Sequence, residues 1–147
     1  CLGTTIKKAG GKKNQYRVDY HYQLEFARIA AQNRMDNYVL VSAAGANANS
    51  GIFYNQMKGS LEKEVQKLFF KNTTILRPSV LVGKRGEFRL GEQLGAVALR
   101  AFGFLKSVRP YRPIHASIVA KAMIEVANSG QEDLFIYELD DLFKLAA

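Results

Sequence analysis

Apolar positions along this chain alternate between two patterns. From Tyr38 to Val41 they form an unbroken β-branched and aromatic run, which predicts a buried parallel strand closed by Ser42. Ala43 to Gly51 contains only small and polar residues and reads as a loop. Beyond Ile52 the spacing changes to 3.6: Tyr54, Met57, Leu61, Val65, Leu68 and Phe69 fall on one helical stripe. The same change recurs along the chain. Asp19 caps an expected helix whose Tyr20, Leu24, Ala27 and Ala31 share a face and which Asn33 closes. Thr73 to Arg77 is a strand stopped by Pro78, and Glu92 to Phe102 is a helix. Ser117 caps a helix that faces inward through Val119, Ala122, Met123 and Val126. Leu134 to Leu139 is a last strand, and Asp140 opens a short helix.

Cys1-Leu2-Gly3 reads as the tail of a strand, Thr4 to Asn14 as a Lys/Gly loop, and Gly103 to Pro113 as an irregular segment able to cover a pocket. Alternation of this kind predicts an α/β fold, a parallel sheet with helices on both faces. Sites in such sheets lie beyond the C-terminal strand ends, where Leu2-Gly3, Ser42 and Pro78 would meet.

Composition adds bounds. The chain has 147 residues, one ordinary domain, and is 48% hydrophobic, enough for a core. No apolar run approaches membrane-spanning length, and no leader is recognisable, so a cytoplasmic protein without membrane contact is expected. The single cysteine excludes an internal disulfide and any cysteine-based metal site, and no metal is expected. The net charge of +8 is spread over Lys7, Lys8, Lys12 and Lys13, over Lys63, Lys67 and Lys71, and over Arg109 and Arg112. That dispersion reads as a solvated basic surface and not as a nucleic-acid interface.

The candidate chemistry sits on the second strand–helix unit. Tyr54 and Lys58 are four apart, hence one turn apart on one helix face. With 7 Tyr and 12 Lys in the chain, about 0.6 such spacings arise by chance, so the pair gains meaning only from its setting. A phenol titrates near pH 10; a neighbouring ammonium favours the phenolate and lowers that value. A serine at the strand end can hold a substrate carbonyl while the tyrosine exchanges a proton with it. Hydride would come from a nicotinamide.

Several segments together carry a family resemblance: Cys1-Leu2-Gly3-Thr4-Thr5, Val41-Ser42-Ala43-Ala44-Gly45-Ala46, Phe53-Tyr54-Asn55-Gln56-Met57-Lys58-Gly59, Leu76-Arg77-Pro78, and Arg85-Gly86-Glu87-Phe88-Arg89-Leu90-Gly91-Glu92. Over about the first 120 residues the chain resembles the atypical short-chain dehydrogenase/reductases, in particular the Tat-interacting-protein-like oxidoreductases that bind NADP(H). The resemblance implies the C-terminal part of a Rossmann-like, doubly wound parallel sheet spanning residues 1–147, with a substrate-covering region from about 79 to 147. No Gly-x-Gly-x-x-Gly is present. The glycine-rich N-terminal half, on the order of 70–90 residues, is expected in a longer polypeptide.

The resemblance further implies catalytic roles for Tyr54, Lys58 and Ser42. Leu2, Gly3, Tyr54, Lys58, Leu81 and Arg89 would bind NADP(H), with NAD(H) the less favoured cofactor. Relatives often carry two serines where this chain has Ser42-Ala43, which puts the working serine in question. The resulting expectation is an NAD(P)H-dependent oxidoreductase acting on a small carbonyl or alcohol. The alternative is a catalytically weak NADPH-binding protein that regulates or contacts protein partners.

Overall fold

The computed structural model describes residues 2–82 and 111–147. Ile6–Ala9 (α1) and Lys12–Tyr16 (α2) precede a π-helical stretch, Arg17–Tyr22, which continues directly into Gln23–Gln32 (α3). Asn37–Val41 (β1), Phe53–Gln66 (α4), Asn72–Arg77 (β2), Leu81–Val82 (β3) and Ile114–His115 (β4) follow. Ala116–Asn128 (α5), Asp133–Glu138 (β5) and Asp141–Leu145 (α6) complete the described chain. The architecture is α/β: β1, β2 and β5 form a parallel sheet in the order β1-β2-β5, and β3 pairs in parallel with β4.

The register explains the apolar runs. Leu40 lies opposite Ile75, and Val41 opposite Leu76. Since successive residues of a strand face opposite sides, each pair serves a different core. Leu40 and Ile75 pack with Leu24 and Ala27 of α3 and Leu61 and Val65 of α4. Leu76 packs with Val119 and Ala122 of α5 and Leu142 of α6, and Val39, Val41 and Tyr137 join them. Helices therefore cover both faces, as a parallel sheet requires. Asn72 to Leu76 are buried without interruption, which is why the central strand reads as a run.

At the end of β2, Arg77 holds Glu62 of α4 in a two-pronged ion pair, Nε to Oε1 at 3.0 Å and Nη2 to Oε2 at 2.6 Å, and also meets Glu138 of β5. This bidentate geometry ties one helix to two strand ends.

Several expected elements are corrected. The 4–14 segment is not a plain loop: the Thr5 hydroxyl caps α1 by accepting the Lys8 N–H, and Gly10, at φ 74°, closes it in the left-handed conformation. Asp19 caps nothing. It lies inside the π-helical stretch, where its carboxylate accepts the Thr4 N–H at 2.8 Å. Leu2 and Gly3 belong to no strand, because side chains and not a neighbouring strand bind the Leu2 and Thr4 backbone; Cys1 lies outside the described residues.

The α4 stripe stops short of its expected end. Phe69 is 90% exposed with φ 52°, at the turn that reverses the chain into β2. The α5 cap is His115, whose ring Nδ1 accepts the Ser117 N–H, and not Ser117. The expected helix from Glu92 to Phe102 lies outside the described residues, as does Gly103 to Pro110 of the covering segment.

Candidate functional site

Ser42 follows β1 directly, and its N–H donates to the Leu76 carbonyl at 2.7 Å, carrying the β1–β2 ladder one step past the strand. The Ala44 N–H then donates to the Pro78 carbonyl at 2.9 Å. These two bonds pin the start of the small-residue loop to the end of β2. Gly45, at φ 78°, turns the loop back, and the Asn47 N–H reaches the Asn55 carbonyl in the first turn of α4 at 3.0 Å. Gly59 lets loop and helix touch: a Cβ there would come within 2.3 Å of the Ala48 nitrogen. Small residues in this loop thus place α4 against the strand ends, and with it Tyr54 and Lys58.

The result is a cleft of about 960 Å³ at the C-terminal ends of β1 and β2. Leu2, Gly3, Ser42, Tyr54, Lys58 and Leu81 all line it. Of the site residues nominated from the sequence, only Arg89 is not among them, and it lies outside the described residues. Tyr111, from the end of the covering segment, borders the cleft as well. Leu81 serves two purposes, since it also packs onto the core around Leu76 and Ile114.

Ser42 is 6% exposed, and its buried Oγ has no hydrogen-bond partner among the described residues. An unpaired buried hydroxyl costs free energy unless something completes it. Lys58 is buried too. Its ammonium donates to the Val41 carbonyl at 3.2 Å and to Gln23 Oε1 at 3.4 Å. Burial pushes the Lys58 pKa below its ordinary value, while the charges of Asp19 and Glu62 pull it back up. Tyr54 stands nearer the mouth, 39% exposed.

The cleft's second wall escaped the sequence reading. Gln15, Asp19 and Gln23, spaced by four, are buried polar residues that all border the cleft. Gln15 Nε2 donates to the Thr4 carbonyl at 3.3 Å and to Asp19 Oδ2 at 3.2 Å; Gln23 Nε2 donates to the Leu2 carbonyl at 3.1 Å. The signal was available as a polar line at helical spacing beside the apolar one. Its partners, however, are backbone atoms of a distant segment.

Among the described residues no group of three His, Cys, Asp or Glu is placed to hold a metal ion, and no helix is long and apolar enough to cross a membrane.

No protein-family model matches the chain. It is similar to the protein FMP52, mitochondrial, of Candida albicans, 37% identical over 157 residues, covering 99% of this chain and 66% of that protein. It is likewise similar to the protein fmp52-1, mitochondrial, of Aspergillus terreus, 34% identical over 156 residues, 98% of this chain and 66% of that protein. A third relative, the protein fmp52, mitochondrial, of Emericella nidulans, is 40% identical over 107 residues, 73% of this chain and 46% of its own length. The chain thus spans just under two thirds of the length of the first two.

These names correct the sequence reading. The relatives are called FMP52 proteins, and not Tat-interacting-protein-like or other short-chain dehydrogenase/reductases, so neither that family nor an oxidoreductase activity is retained. The physical reason is that several of the quoted residues, Gly45 and Gly59 among them, are set by the folding of a strand–loop–helix unit. Packing such as that of Gly59 against Ala48 demands them whatever the chemistry. The cytoplasmic expectation falls as well, since the relatives are mitochondrial by name. One cysteine and the lack of a long apolar run carry no address within the cell.

Proposed function

We propose that the cleft beyond β1 and β2 is a binding site for a nicotinamide dinucleotide, and that this chain acts in mitochondria like its named relatives. In this reading the sheet is the C-terminal part of a Rossmann-like, doubly wound sheet. The observation that carries it is the convergence of Leu2, Gly3, Ser42, Tyr54, Lys58 and Leu81 on one cleft at the C-terminal ends of parallel strands, the place where such sheets bind nucleotides.

The residues fit parts of that ligand. Lys58 offers a fixed donor to ribose hydroxyls, and the Ser42 hydroxyl, without a partner among the described residues, offers one to a polar group on the nicotinamide end. Leu2, Gly3 and Leu81 supply the apolar sides. NADP(H) is placed ahead of NAD(H) because Lys7 on the cleft wall suits an additional phosphate.

The test is a titration of the complete polypeptide with NADPH, followed by the emission of the reduced nicotinamide. Saturable binding is expected, weakened roughly three- to tenfold in Ser42→Ala, the range of one neutral hydrogen bond. Absence of saturable binding of both NADPH and NADH overturns the reading.

A further inference from the structure

We infer that Gln23 is a positioning residue, which ties the Lys58 ammonium to the cleft wall formed by residues 2–4. Its side-chain amide is spent at both ends. Nε2 donates to the Leu2 carbonyl at 3.1 Å, and Oε1 accepts from Lys58 at 3.4 Å. Gln23 is 8% exposed, so neither bond competes freely with water. The amide has one workable orientation. Turned over, it would set its NH2 group against the ammonium and its oxygen against the Leu2 carbonyl, two repulsive contacts in place of two attractive ones.

The two residues before it on the same line extend the arrangement. Asp19 accepts the Thr4 N–H, and Gln15 bridges the Thr4 carbonyl and the Asp19 carboxylate. Leu2 and Thr4 therefore receive from buried side chains the hydrogen bonds that a neighbouring strand would otherwise supply. That fixes the wall with respect to α3, and Gln23 passes the constraint on to Lys58. Among the described residues, the charged groups acting on this ammonium are Asp19 from the π-helical stretch and Glu62 from α4. Gln23 is a neutral contact of the ammonium, as is the Val41 carbonyl, so a change there alters the ammonium's surroundings without deleting a charge. Only the consequence for ligand affinity rests on the dinucleotide reading.

The test uses the complete polypeptide with lysines labelled at Cε with 13C, the Lys58 signal being the one missing from Lys58→Met. Its titration midpoint is compared in wild type, Gln23→Glu and Gln23→Leu. Gln23→Glu keeps an acceptor on the ammonium and adds a negative charge, so the midpoint rises, while the donor to Leu2 is lost. Gln23→Leu removes the acceptor, so the midpoint falls. Gln23→Met, similar in length, replaces Gln23→Leu if that variant does not fold. Shifts of opposite sign are the expected result; shifts of the same sign, or none, overturn the assignment.

NADPH titration of the same proteins separates the two readings. If wild type binds NADPH, Gln23→Leu is expected to bind at least tenfold more weakly. Opposite shifts without any NADPH binding would leave Gln23 in its role and remove the dinucleotide. Tight NADPH binding with shifts of one sign would do the reverse.

Discussion

The Lys58 ammonium donates to the carbonyl oxygen of Val41, 3.2 Å away, so the last residue of β1 and the second turn of α4 hold each other through a buried charge. This bond places a cation at the strand end with no carboxylate of the described residues in direct contact. Its energetics are therefore mixed: desolvation opposes it, and two hydrogen bonds support it.

Replacing Lys58 by Met separates those contributions from ligand binding. Loss of the desolvation cost and loss of the two bonds oppose each other, so urea unfolding is expected to shift by no more than about 1 kcal/mol. NADPH affinity should nonetheless fall at least ~10-fold, about 1.4 kcal/mol. An affinity left at the wild-type value would remove Lys58 from the site.

The same side chain should leave a mark on stability as a function of pH. Burial lowers the folded-state pKa of Lys58 below its unfolded value of about 10.4. Between those two values the unfolded chain binds more protons, so Lys58 makes stability rise with pH there, up to the unfolded pKa. Below the folded pKa its penalty is present in full. Subtracting the stability curve of Lys58→Met from that of wild type, from pH 7 to 10.5, should show an upward slope. A flat or falling difference contradicts the buried ammonium.

Gly59→Ala tests the contact between loop and helix. The added methyl would lie 2.3 Å from the Ala48 nitrogen and 2.4 Å from the Asn47 carbonyl carbon, both backbone atoms. Neither can rotate away, so the loop or α4 must shift, at a cost of about 1–3 kcal/mol in chemical denaturation. Because the shift moves Tyr54 and Lys58, ligand affinity should drop along with stability.

Glu62→Ala removes the two-pronged partner of Arg77 and leaves that guanidinium with Glu138. Glu62 is buried, but Arg77 retains some solvent, so the loss should be about 1–3 kcal/mol, less than for a wholly buried pair. Equilibrium unfolding in urea measures it. Arg77→Met together with Glu62→Met, which removes both charges, should recover part of the stability.

Ile75→Ala opens a cavity in the core between the sheet and α3 and α4, where Ile75 is fully buried. A loss of about 2–5 kcal/mol is expected, with little change in ligand affinity if the fold survives. A cost below 1 kcal/mol would mean that this core is not closed around the central strand.

Local pattern determined much of this protein. The uninterrupted run from Tyr38 to Val41 and the 3.6 spacing from Met57 to Val65 each describe the surroundings of one element, so β1, β2 and α4 were legible within a few residues of their ends. The meeting of Ser42, Tyr54 and Lys58 at one cleft was legible for the same reason: a strand end and the first turns of the next helix are neighbours in the chain before they are neighbours in space. Other features depended on partners far along the sequence, and only the tertiary structure decided them. Phe69 continues the α4 stripe on paper but leaves the helix in a left-handed turn, because the chain must reverse to enter β2. Asp19 has the composition of a cap, yet its carboxylate is claimed by the Thr4 N–H, fifteen residues earlier. Gln23 shows in the sequence only as one member of a polar line at helical spacing, with nothing to name its partners. It matters because folding brings Leu2 to one end of its amide and Lys58, thirty-five residues away, to the other, and no periodicity within a single element encodes that meeting.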